Sequence, residues 1–305
     1  MSEKNVVLLV YPNYRQYSKW KWLPTSMVFL ASTLKAMGYR PVLADDRFSR
    51  ERTLSILEEH IDDAALVGVG TATGSQLGNA LKLAQWCKKE RPDVPVVFGG
   101  PFPSAKPHLT LTSPWVDAVV MGQGELAIVD LCQEFRHGVM PPKPVGVGSL
   151  PPLPYFDGEF LRVEDYLNPE TMAVNYATSS GCPGTCGFCY WHDSYRYSRF
   201  PAYRVAGDLR TMKAMHGIRN VQFDDGTFFV GRRRTMEIVD SIAPLGLRWR
   251  ANGRVDTLGA FKLEDWRRIA EAGCHLIHVG LEHVSPRILR LMDKRIDPAG
   301  CVPIL

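Results

Sequence analysis

The sequence predicts an α/β protein in which a Rossmann-like, doubly wound parallel sheet precedes a partial (β/α) barrel. Short runs of apolar and β-branched residues alternate with helical patterns along all 305 residues, which is typical of buried parallel strands joined by helices. A stretch with six prolines in fourteen residues, 141–154, divides this alternation into two series. Because neither helix nor strand tolerates that density of proline, we expect a first domain at residues 1–140, a proline-rich linker at 141–170 and a second domain at 171–305.

The first series predicts five strands with helices between them. The strands are expected near Val6–Val10, Pro41–Ala44, Leu66–Gly70, Val94–Phe98 and Ala118–Met121. The helices are expected near 26–38, 51–60, 74–89 and 125–135, and Thr25 or Ser26 is the predicted N-cap of the first helix. Five strands that alternate with helices indicate a doubly wound sheet.

The second series predicts about four βα units, the number that residues 171–305 can hold at roughly 31 residues per unit. Its strands are expected near 173–176, 220–223, 248–251 and 276–279, and its helices near 204–216, 231–243, 263–272 and 285–293. Polar residues follow each strand: a cysteine group, then Asp224 and Asp225, then Asn252 and Arg254, then Glu282. Since parallel strands present their C-terminal ends at one edge of a sheet, this pattern predicts an active site there.

Composition excludes several classes of protein. The chain is 45% hydrophobic and 22% charged, which are ordinary values for a globular protein with a core, so disordered, coiled-coil and small disulfide-stapled classes do not apply. No apolar run approaches the ~18 residues of a membrane span, and the N-terminal run is too short for a signal peptide. We therefore expect a cytoplasmic protein without a membrane span. The net charge of +4 gives little support to a nucleic-acid partner.

Three of the seven cysteines are packed together in one short segment. Cys182, Cys186 and Cys189 form the spacing C-x3-C-x2-C in a glycine-rich loop. Thiolates are soft ligands for iron–sulfur clusters or zinc, and three thiolates leave one iron of a cubane cluster open to an exogenous ligand. The alternatives are a structural zinc site that His192 completes, and three cysteines that are simply buried.

The segment Cys182-x3-Cys186-x-Phe188-Cys189, directly after a strand of a βα series, resembles the cluster motif of the radical S-adenosylmethionine (SAM) superfamily. The resemblance implies a 4Fe–4S cluster on the three cysteines and SAM on the open iron, where SAM is reduced to methionine and a 5′-deoxyadenosyl radical. The SAM contacts that it implies are Phe188 at the adenine, Asp224 and Asp225 of Phe-Asp-Asp-Gly-Thr-Phe near the methionyl amine, Arg254 facing the carboxylate, and Glu282 of Gly-Leu-Glu-His-Val-Ser at the ribose. The core of this superfamily usually has six units, so we expect the four-unit barrel to be incomplete.

The first domain lacks a G-x-G-x-x-G fingerprint, so binding of NAD or FAD is not supported. Glycine-containing loops follow its third, fourth and fifth strands, at 70–75, 98–101 and 121–125. Such loops suit a phosphate or nucleotide tail, or simply pack helix against strand. Beside a radical SAM domain, they resemble the cobalamin-binding domain of the cobalamin-dependent (class B) radical SAM family. The cobalamin contacts that this resemblance implies are Thr71, Thr73, Ser75, Gly99, Gly100, Gly122, Gln123, Gly124 and Glu125.

None of the eight histidines stands in an Asp-x-His-x-x-Gly motif. The resemblance therefore implies base-off cobalamin without a histidine ligand, and it equally permits a domain that no longer binds the corrin.

The resemblance implies a cobalamin-dependent radical SAM enzyme, with methyl transfer to an unactivated carbon as the main hypothesis. The alternatives are a radical SAM cyclase or rearrangement enzyme of the same family, and a non-catalytic corrinoid- or zinc-binding module. A third hypothesis, RNA modification, rests only on the aromatic and arginine residues of 190–204. The expected partners are a small-molecule or natural-product substrate and an electron donor such as flavodoxin or ferredoxin.

Overall fold

The computed structural model describes residues 4–14, 20–138, 160–190 and 195–298. The chain divides into two compact units, Met1–Arg162 and Val163–Leu305, and each unit contains its own parallel sheet. The two parallel sheets confirm the predicted α/β class. The division falls within the linker expected at 141–170, much of which lies outside the described residues, and the predicted domain ranges stay predictions.

The first unit contains a five-stranded sheet in the order β2-β1-β3-β4-β5, with every neighbouring pair parallel. Its strands are β1 (Val6–Tyr11), β2 (Arg40–Asp45), β3 (Ala64–Gly70), β4 (Val96–Gly99) and β5 (Ala118–Val119). Its α-helices are α1 (Thr25–Ala36), α2 (Arg50–His60), α3 (Ser75–Glu90), α4 (Pro101–Ala105), α5 (Pro107–Thr110) and α6 (Glu125–Arg136).

Strand β1 is continuously apolar because both of its faces are buried. Val6, Leu8 and Val10 pack into one hydrophobic core, whereas Val7 and Leu9 pack into a second, and all five are at most 1% exposed. Successive side chains of a strand point to opposite faces of the sheet, so both faces are covered. This is the doubly wound arrangement that the sequence predicts.

The predicted N-cap of the first helix is wrong. Helix α1 begins at Thr25, and Pro24 stands at the N-cap position without a side-chain capping bond. The Pro24 carbonyl accepts hydrogen bonds from the backbone N–H groups of Met27 and Val28, and its ring presets the backbone angle at the helix entry. Helices α4 and α5 escape prediction because five and four residues are too few to show a helical period.

The order of the first sheet reverses between β1 and β3, and ligands of open α/β sheets bind at such a reversal. The buried Gln76 joins the loops that leave these two strands. Its Oε1 accepts a hydrogen bond from the backbone N–H of Ala72 at 2.7 Å, and its Nε2 donates to the carbonyl oxygen of Pro12 at 3.0 Å. Gln76 therefore connects the loops after β1 and β3 at this edge of the sheet.

The second unit contains a parallel sheet in the order β11-β10-β9-β6 and a short antiparallel pair, β7 and β8. Its strands are β6 (Ala173–Tyr176), β7 (Ser179–Ser180), β8 (Ser198–Arg199), β9 (Asn220–Phe223), β10 (Arg248–Arg254) and β11 (Cys274–Gly280). Its α-helices are α7 (Ala202–His216), α8 (Arg232–Ile242), α9 (Val255–Leu258), α10 (Leu263–Glu271) and α11 (Pro286–Leu291). Each strand of the four lies beside its successor in the chain, as in the wall of a (β/α) barrel.

The two faces of the second sheet differ in polarity. Val174, Val221 and Trp249 lie side by side in the register and are at most 2% exposed. One position further along each strand, Asn175 pairs with Gln222 and Gln222 with Arg250, so the opposite face carries polar side chains. The apolar face forms the core, and the opposite face carries polar groups that a binding site could use.

Among the described helices, none combines the length and the apolar character that crossing a membrane requires.

Candidate active site

The three cysteines lie in the loop between β7 and β8. The loop starts at Gly181, which has a φ of +73°, and a Cβ there would lie 2.8 Å from the carbonyl oxygen of Arg196. Glycine is the residue that this left-handed and crowded position accepts. The chain can therefore turn just before the first cysteine. Cys186 is buried, and Cys182 and Cys189 are half-buried.

Two of the three sulfur atoms receive hydrogen bonds. The backbone N–H of Gly184 donates to Cys182 Sγ at 3.4 Å, and Nη1 of Arg254 donates to Cys186 Sγ at 3.0 Å. Burial raises the pKa of Cys182, and both the Gly184 amide and the Arg254 charge oppose that rise. Such donors stabilise a thiolate, which is the form that binds metal.

The donor set of this loop fits a 4Fe–4S cluster. Among the described residues, no three histidine, cysteine or carboxylate side chains converge on a point that could hold one metal ion. A cubane cluster does not need such a point, because each thiolate binds a different iron atom. His192, which the zinc alternative requires as its fourth ligand, lies outside the described residues.

Asp225, a predicted SAM contact, is buried and is hydrogen-bonded to the residues that precede the cysteine loop. Its side chain is 1% exposed. One carboxylate oxygen accepts a hydrogen bond from the backbone N–H of Thr178 at 2.9 Å, and the other accepts from the hydroxyls of Thr178, at 2.7 Å, and Ser179. Burial raises the pKa of Asp225, and these three hydrogen bonds oppose the rise. The structure thus places this carboxylate where it holds the backbone that leads to Cys182.

Asp224, the neighbouring predicted contact, reaches solvent. Its Oδ2 accepts a hydrogen bond from Nδ2 of Asn175 at 2.8 Å. Protein still surrounds much of the carboxyl group, and this burial raises the pKa of Asp224 to about 6. The Asn175 hydrogen bond and the charge of Arg250 oppose the rise, and the negative charge of Asp225 adds to it. Asp224 therefore offers an accessible carboxyl group that titrates close to neutral pH.

Arg254 stands at the end of β10, against the cysteine loop. Besides its bond to Cys186, its Nε and Nη2 donate to the carboxylate of Asp256 at 3.1 and 3.0 Å, and Nη2 also donates to the carbonyl oxygen of Lys294 at 2.8 Å. These four bonds leave one of the five guanidinium N–H groups without a partner among the described residues. The guanidinium is thus fixed in place and still has one donor to offer.

Glu282 and Phe188, the predicted ribose and adenine contacts, flank one buried ammonium. Oε1 of Glu282 lies 2.5 Å from Nζ of Lys294, whose side chain is 4% exposed. The same Nζ lies 5.7 Å from the centroid of the Phe188 ring, and Phe188 is 54% exposed. The structure therefore brings together an exposed aromatic ring and a carboxylate through a residue that the sequence reasoning missed.

Sequence reasoning missed Asn175, Thr178 and Lys294 at this site. Asn175 carried a signal, because a polar residue interrupts the otherwise apolar and aromatic run of β6. Thr178 and Lys294 carried no such signal, because their partners are distant in the sequence. Thr178 contacts Asp225, 47 residues away, and Lys294 contacts Glu282, 12 residues away.

The predicted cobalamin contacts of the first unit lie at or just after the C-terminal ends of β3, β4 and β5, as far as the first residues of α3 and α6. The backbone N–H of Thr71 donates to the carbonyl oxygen of Gly99 at 2.8 Å. Gly100 has a φ of +102°, and a Cβ there would lie 2.7 Å from the carbonyl oxygen of Thr71. The first two loops therefore meet backbone to backbone. Thr71 is buried, whereas Thr73 and Ser75 are exposed.

The third loop, Gly122 to Glu125, leads into α6. The backbone N–H of Gly122 donates to Oγ of Ser104 at 2.9 Å, and Gln123 is 3% exposed. Oε2 of Glu125 is buried and has no hydrogen-bond partner among the described residues, and burial raises the pKa of this carboxyl group. Buried polar atoms normally have partners, so this oxygen fits a ligand that brings donors, such as the amide side chains of a corrin.

Two family models match the chain, one in each unit. The B12 binding domain matches residues 17–132, and the Radical SAM superfamily matches residues 176–299, which include the three cysteines. The chain belongs to the cobalamin-dependent radical SAM family. The resemblance predicted from the cysteine loop and the glycine-containing loops is thereby confirmed.

Curated relatives of this radical SAM protein include methyltransferases and cyclases. The chain is 30% identical over 300 residues to an uncharacterized methyltransferase of Pyrococcus horikoshii, covering 90% of this chain and 64% of that protein. It is 28% identical over 324 residues to the anaerobic magnesium-protoporphyrin IX monomethyl ester cyclase of Rubrivivax gelatinosus, covering 94% of this chain and 57% of the cyclase. The chain thus spans about three fifths of the length of these relatives.

Solved structures show the same fold. The radical SAM methyltransferase TsrM of Kitasatospora setae, solved with tryptophan substrate and a SAM analogue, matches with a TM-score of 0.76 and 21% identity over 93% of this chain and 60% of TsrM. The cobalamin-dependent SAM radical enzyme OxsB, solved with aqua-cobalamin and SAM, matches with a TM-score of 0.80 and 17% identity over 98% of this chain and 46% of OxsB. Both confirm the predicted fold class.

Proposed function

We propose that the protein is a cobalamin-dependent radical SAM methyltransferase that acts on an unactivated carbon of a small-molecule substrate. The observation that carries the proposal is the loop of Cys182, Cys186 and Cys189, in which the sulfurs of Cys182 and Cys186 accept hydrogen bonds from the Gly184 amide and the Arg254 guanidinium. When bound, the cluster and SAM supply a 5′-deoxyadenosyl radical and the cobalamin supplies the methyl group. The identity with a methyltransferase over 90% of the chain supports methyl transfer as the reaction.

The side chains at the edge of the second sheet divide the binding of SAM among them. We assign Asp224 to the methionyl amine, because its carboxyl group is accessible. The one guanidinium N–H of Arg254 that the described residues leave free suits the methionyl carboxylate. Phe188 offers its exposed face to the adenine, and Glu282 accepts hydrogen bonds from the ribose hydroxyls. Asp225 acts as a positioning residue through Thr178 and Ser179.

In the first unit, we propose that cobalamin binds over the loops after β3, β4 and β5 in a base-off form without a histidine ligand. The unit contains three histidines. His60 ends α2, His108 lies in α5 and His137 follows α6, so none of them belongs to those loops. The exposed Thr73 and Ser75 and the buried Glu125 supply polar groups to the corrin side chains.

Oxidative cyclisation is the second candidate reaction, and the 28% identity with a cyclase over 94% of the chain favours it. Product analysis separates the two reactions, because methyl transfer adds one carbon to the substrate and cyclisation adds none. In either case an electron donor such as flavodoxin or ferredoxin reduces the cluster. The reducing cytoplasm is the proposed location, since it keeps the three thiolates available for iron.

Low-temperature EPR after anaerobic reconstitution with iron and sulfide tests the proposal. The reduced wild-type protein is expected to show a 4Fe–4S signal that shifts when SAM is added, because SAM binds the open iron. Cys186→Ala is expected to lose that signal and most of the bound iron.

Cys274→Ala is the matched control, since Cys274 lies in β11 outside the cysteine loop. It should reconstitute like the wild type. A wild-type protein that binds zinc and builds no cluster, or a cluster that does not respond to SAM, would contradict the proposed function.

A further inference from the structure

The segment Met292 to Arg295, which follows α11, is tied to the cysteine loop by its backbone. The N–H of Gly187 donates to the carbonyl oxygen of Met292 at 2.8 Å, and Nη2 of Arg254 donates to the carbonyl oxygen of Lys294 at 2.8 Å. Asp293 and Arg295 both have positive φ, of 47° and 55°. Few residues other than glycine adopt that conformation, and the surrounding contacts must hold it. Two hydrogen bonds therefore hold this turn against the cysteine loop and Arg254.

The turn places the Lys294 side chain, with its ammonium, in a buried position. A lysine with a side chain only 4% exposed needs a partner for its charge, and Oε1 of Glu282, at 2.5 Å, is that partner. Glu282 also has a positive φ, of 68°. The ion pair thus joins two backbone segments that are both in an uncommon conformation, and it fixes the direction of the Glu282 carboxylate.

The second oxygen of that carboxylate is left for another ligand. Oε2 of Glu282 has no partner among the described residues, and the side chain is 37% exposed. The same ammonium lies 5.7 Å from the centroid of the Phe188 ring, and Phe188 is 54% exposed. An open aromatic face beside a carboxylate acceptor suits a nucleoside, whose base stacks and whose vicinal ribose hydroxyls donate.

From these contacts we propose that Lys294 is a positioning residue for the adenosine part of SAM. It holds Oε1 of Glu282 so that Oε2 faces the ribose, and it keeps that carboxylate near the Phe188 ring. This inference rests on the proposed function, because it assumes that SAM is the nucleoside that binds. It adds a residue that belongs to no motif in the sequence.

Lys294→Met tests the role of the ammonium alone. Methionine has a similar length and apolar stem, and the variant keeps the backbone carbonyl that Arg254 contacts. We expect the dissociation constant of SAM to rise by about tenfold or more, measured by equilibrium dialysis and by the SAM-dependent shift of the cluster EPR signal. The iron content should stay at the wild-type level, because the three cysteines are unchanged. Lys294→Arg keeps the charge and is expected to recover much of the affinity.

Arg295→Met is the control within the same turn, since the Arg295 side chain is 71% exposed and, among the described residues, pairs only with Asp293. It should bind SAM like the wild type. Wild-type affinity in Lys294→Met, or an equal loss in both variants, would overturn the role of Lys294 and leave the proposed function intact. A wild-type cluster that does not respond to SAM would overturn both.

Glu282→Gln provides a second route if Lys294→Met does not fold. It keeps the shape of the side chain and removes the charge that pairs with Lys294, so it should weaken SAM binding to a similar degree. Unchanged affinity in this variant would also overturn the proposal.

Discussion

At the scale of single residues, the two adjacent aspartates after β9 have different environments and therefore different roles. Asp225 is 1% exposed, and its hydrogen bonds go to Thr178 and Ser179. Asp224 reaches solvent and has its pKa raised to about 6 by burial. One carboxylate therefore shapes the cysteine loop, and the other is available to a ligand.

The raised pKa of Asp224 makes stability depend on pH. Between the ordinary value of 3.8 and about 6, the folded protein holds a proton that the unfolded chain releases. The free energy of unfolding that this group contributes is therefore highest below about pH 4, and it falls as the pH rises to about 6. Asp224→Asn removes this loss, since the amide never ionises and can still accept the Asn175 hydrogen bond.

Thermal unfolding of the apoprotein checks this expectation. The melting temperature of Asp224→Asn should equal that of the wild type near pH 4 and exceed it at pH 7. A difference between the two proteins that stays constant over this range would show that the charge of Asp224 is not the cause.

At the scale of elements, the loops after β3 and β4 meet through their backbones at Gly100. Because β3 and β4 are parallel, both loops leave the same edge of the sheet, where Thr73 and Ser75 are exposed. The close approach requires a residue without a Cβ, because the carbonyl oxygen of Thr71 occupies the space where that atom would lie.

Gly100→Ala is expected to lower the free energy of unfolding by about 2 kcal/mol, because it combines a positive φ with a steric clash. Urea denaturation monitored by circular dichroism measures the change. Cobalamin binding should weaken with it, since the Thr71 loop must move to make room.

Gly78→Ala is the matched control in the helix that follows β3. Gly78 lies within α3, and no atom stands within 4 Å of the place where its Cβ would be. Alanine is the better helix former by about 1 kcal/mol, so this variant should be more stable than the wild type. A Gly100→Ala protein as stable as Gly78→Ala would refute the close approach of the two loops.

At the scale of the whole molecule, each unit carries its own sheet and its own candidate cofactor site. The predicted cobalamin contacts lie between Thr71 and Glu125, in the first unit, and the cysteine loop and the SAM contacts lie between Asn175 and Lys294, in the second. The strand order reverses in the first sheet and runs on in sequence in the second. The protein thus combines two different α/β arrangements, each with its polar groups after the strand ends.

Because the two sites draw on different residues, Cys186→Ala should still bind cobalamin. We expect cobalamin to raise the melting temperature of this variant, as any ligand of the folded state does. EPR of the bound cob(II)alamin tests the axial position, since an imidazole ligand would split its lines through the nitrogen nucleus. Nitrogen splitting from a protein histidine would contradict the absence of a histidine ligand, and splitting from the cobalamin's own base would contradict the base-off form. No shift in melting temperature would contradict binding.

The parallel sheets and the cysteine loop could be predicted because their signals are local. A strand buried on both faces needs a continuous apolar run, and Val6–Tyr11 displays one. A cluster loop needs closely spaced thiols, and Cys182, Cys186 and Cys189 stand within eight residues. The N-cap of α1 was predicted wrongly, because Pro24 occupies that position and makes no side-chain hydrogen bond. Its ring presets the backbone angle at the helix entry instead.

The sequence by itself thus determined the fold class and the family, and it singled out the three cysteines that we propose as cluster ligands, since each depends on residues that are neighbours in the chain. Only the tertiary structure decided that Asp225 is internal while Asp224 is accessible, and that Lys294 joins Glu282 and Phe188. These features depend on groups as far as 47 residues apart, such as Thr178 and Asp225. Such groups become buried or form ion pairs only when the folded chain brings them together. The spacing of residues within a short segment therefore does not predict these contacts.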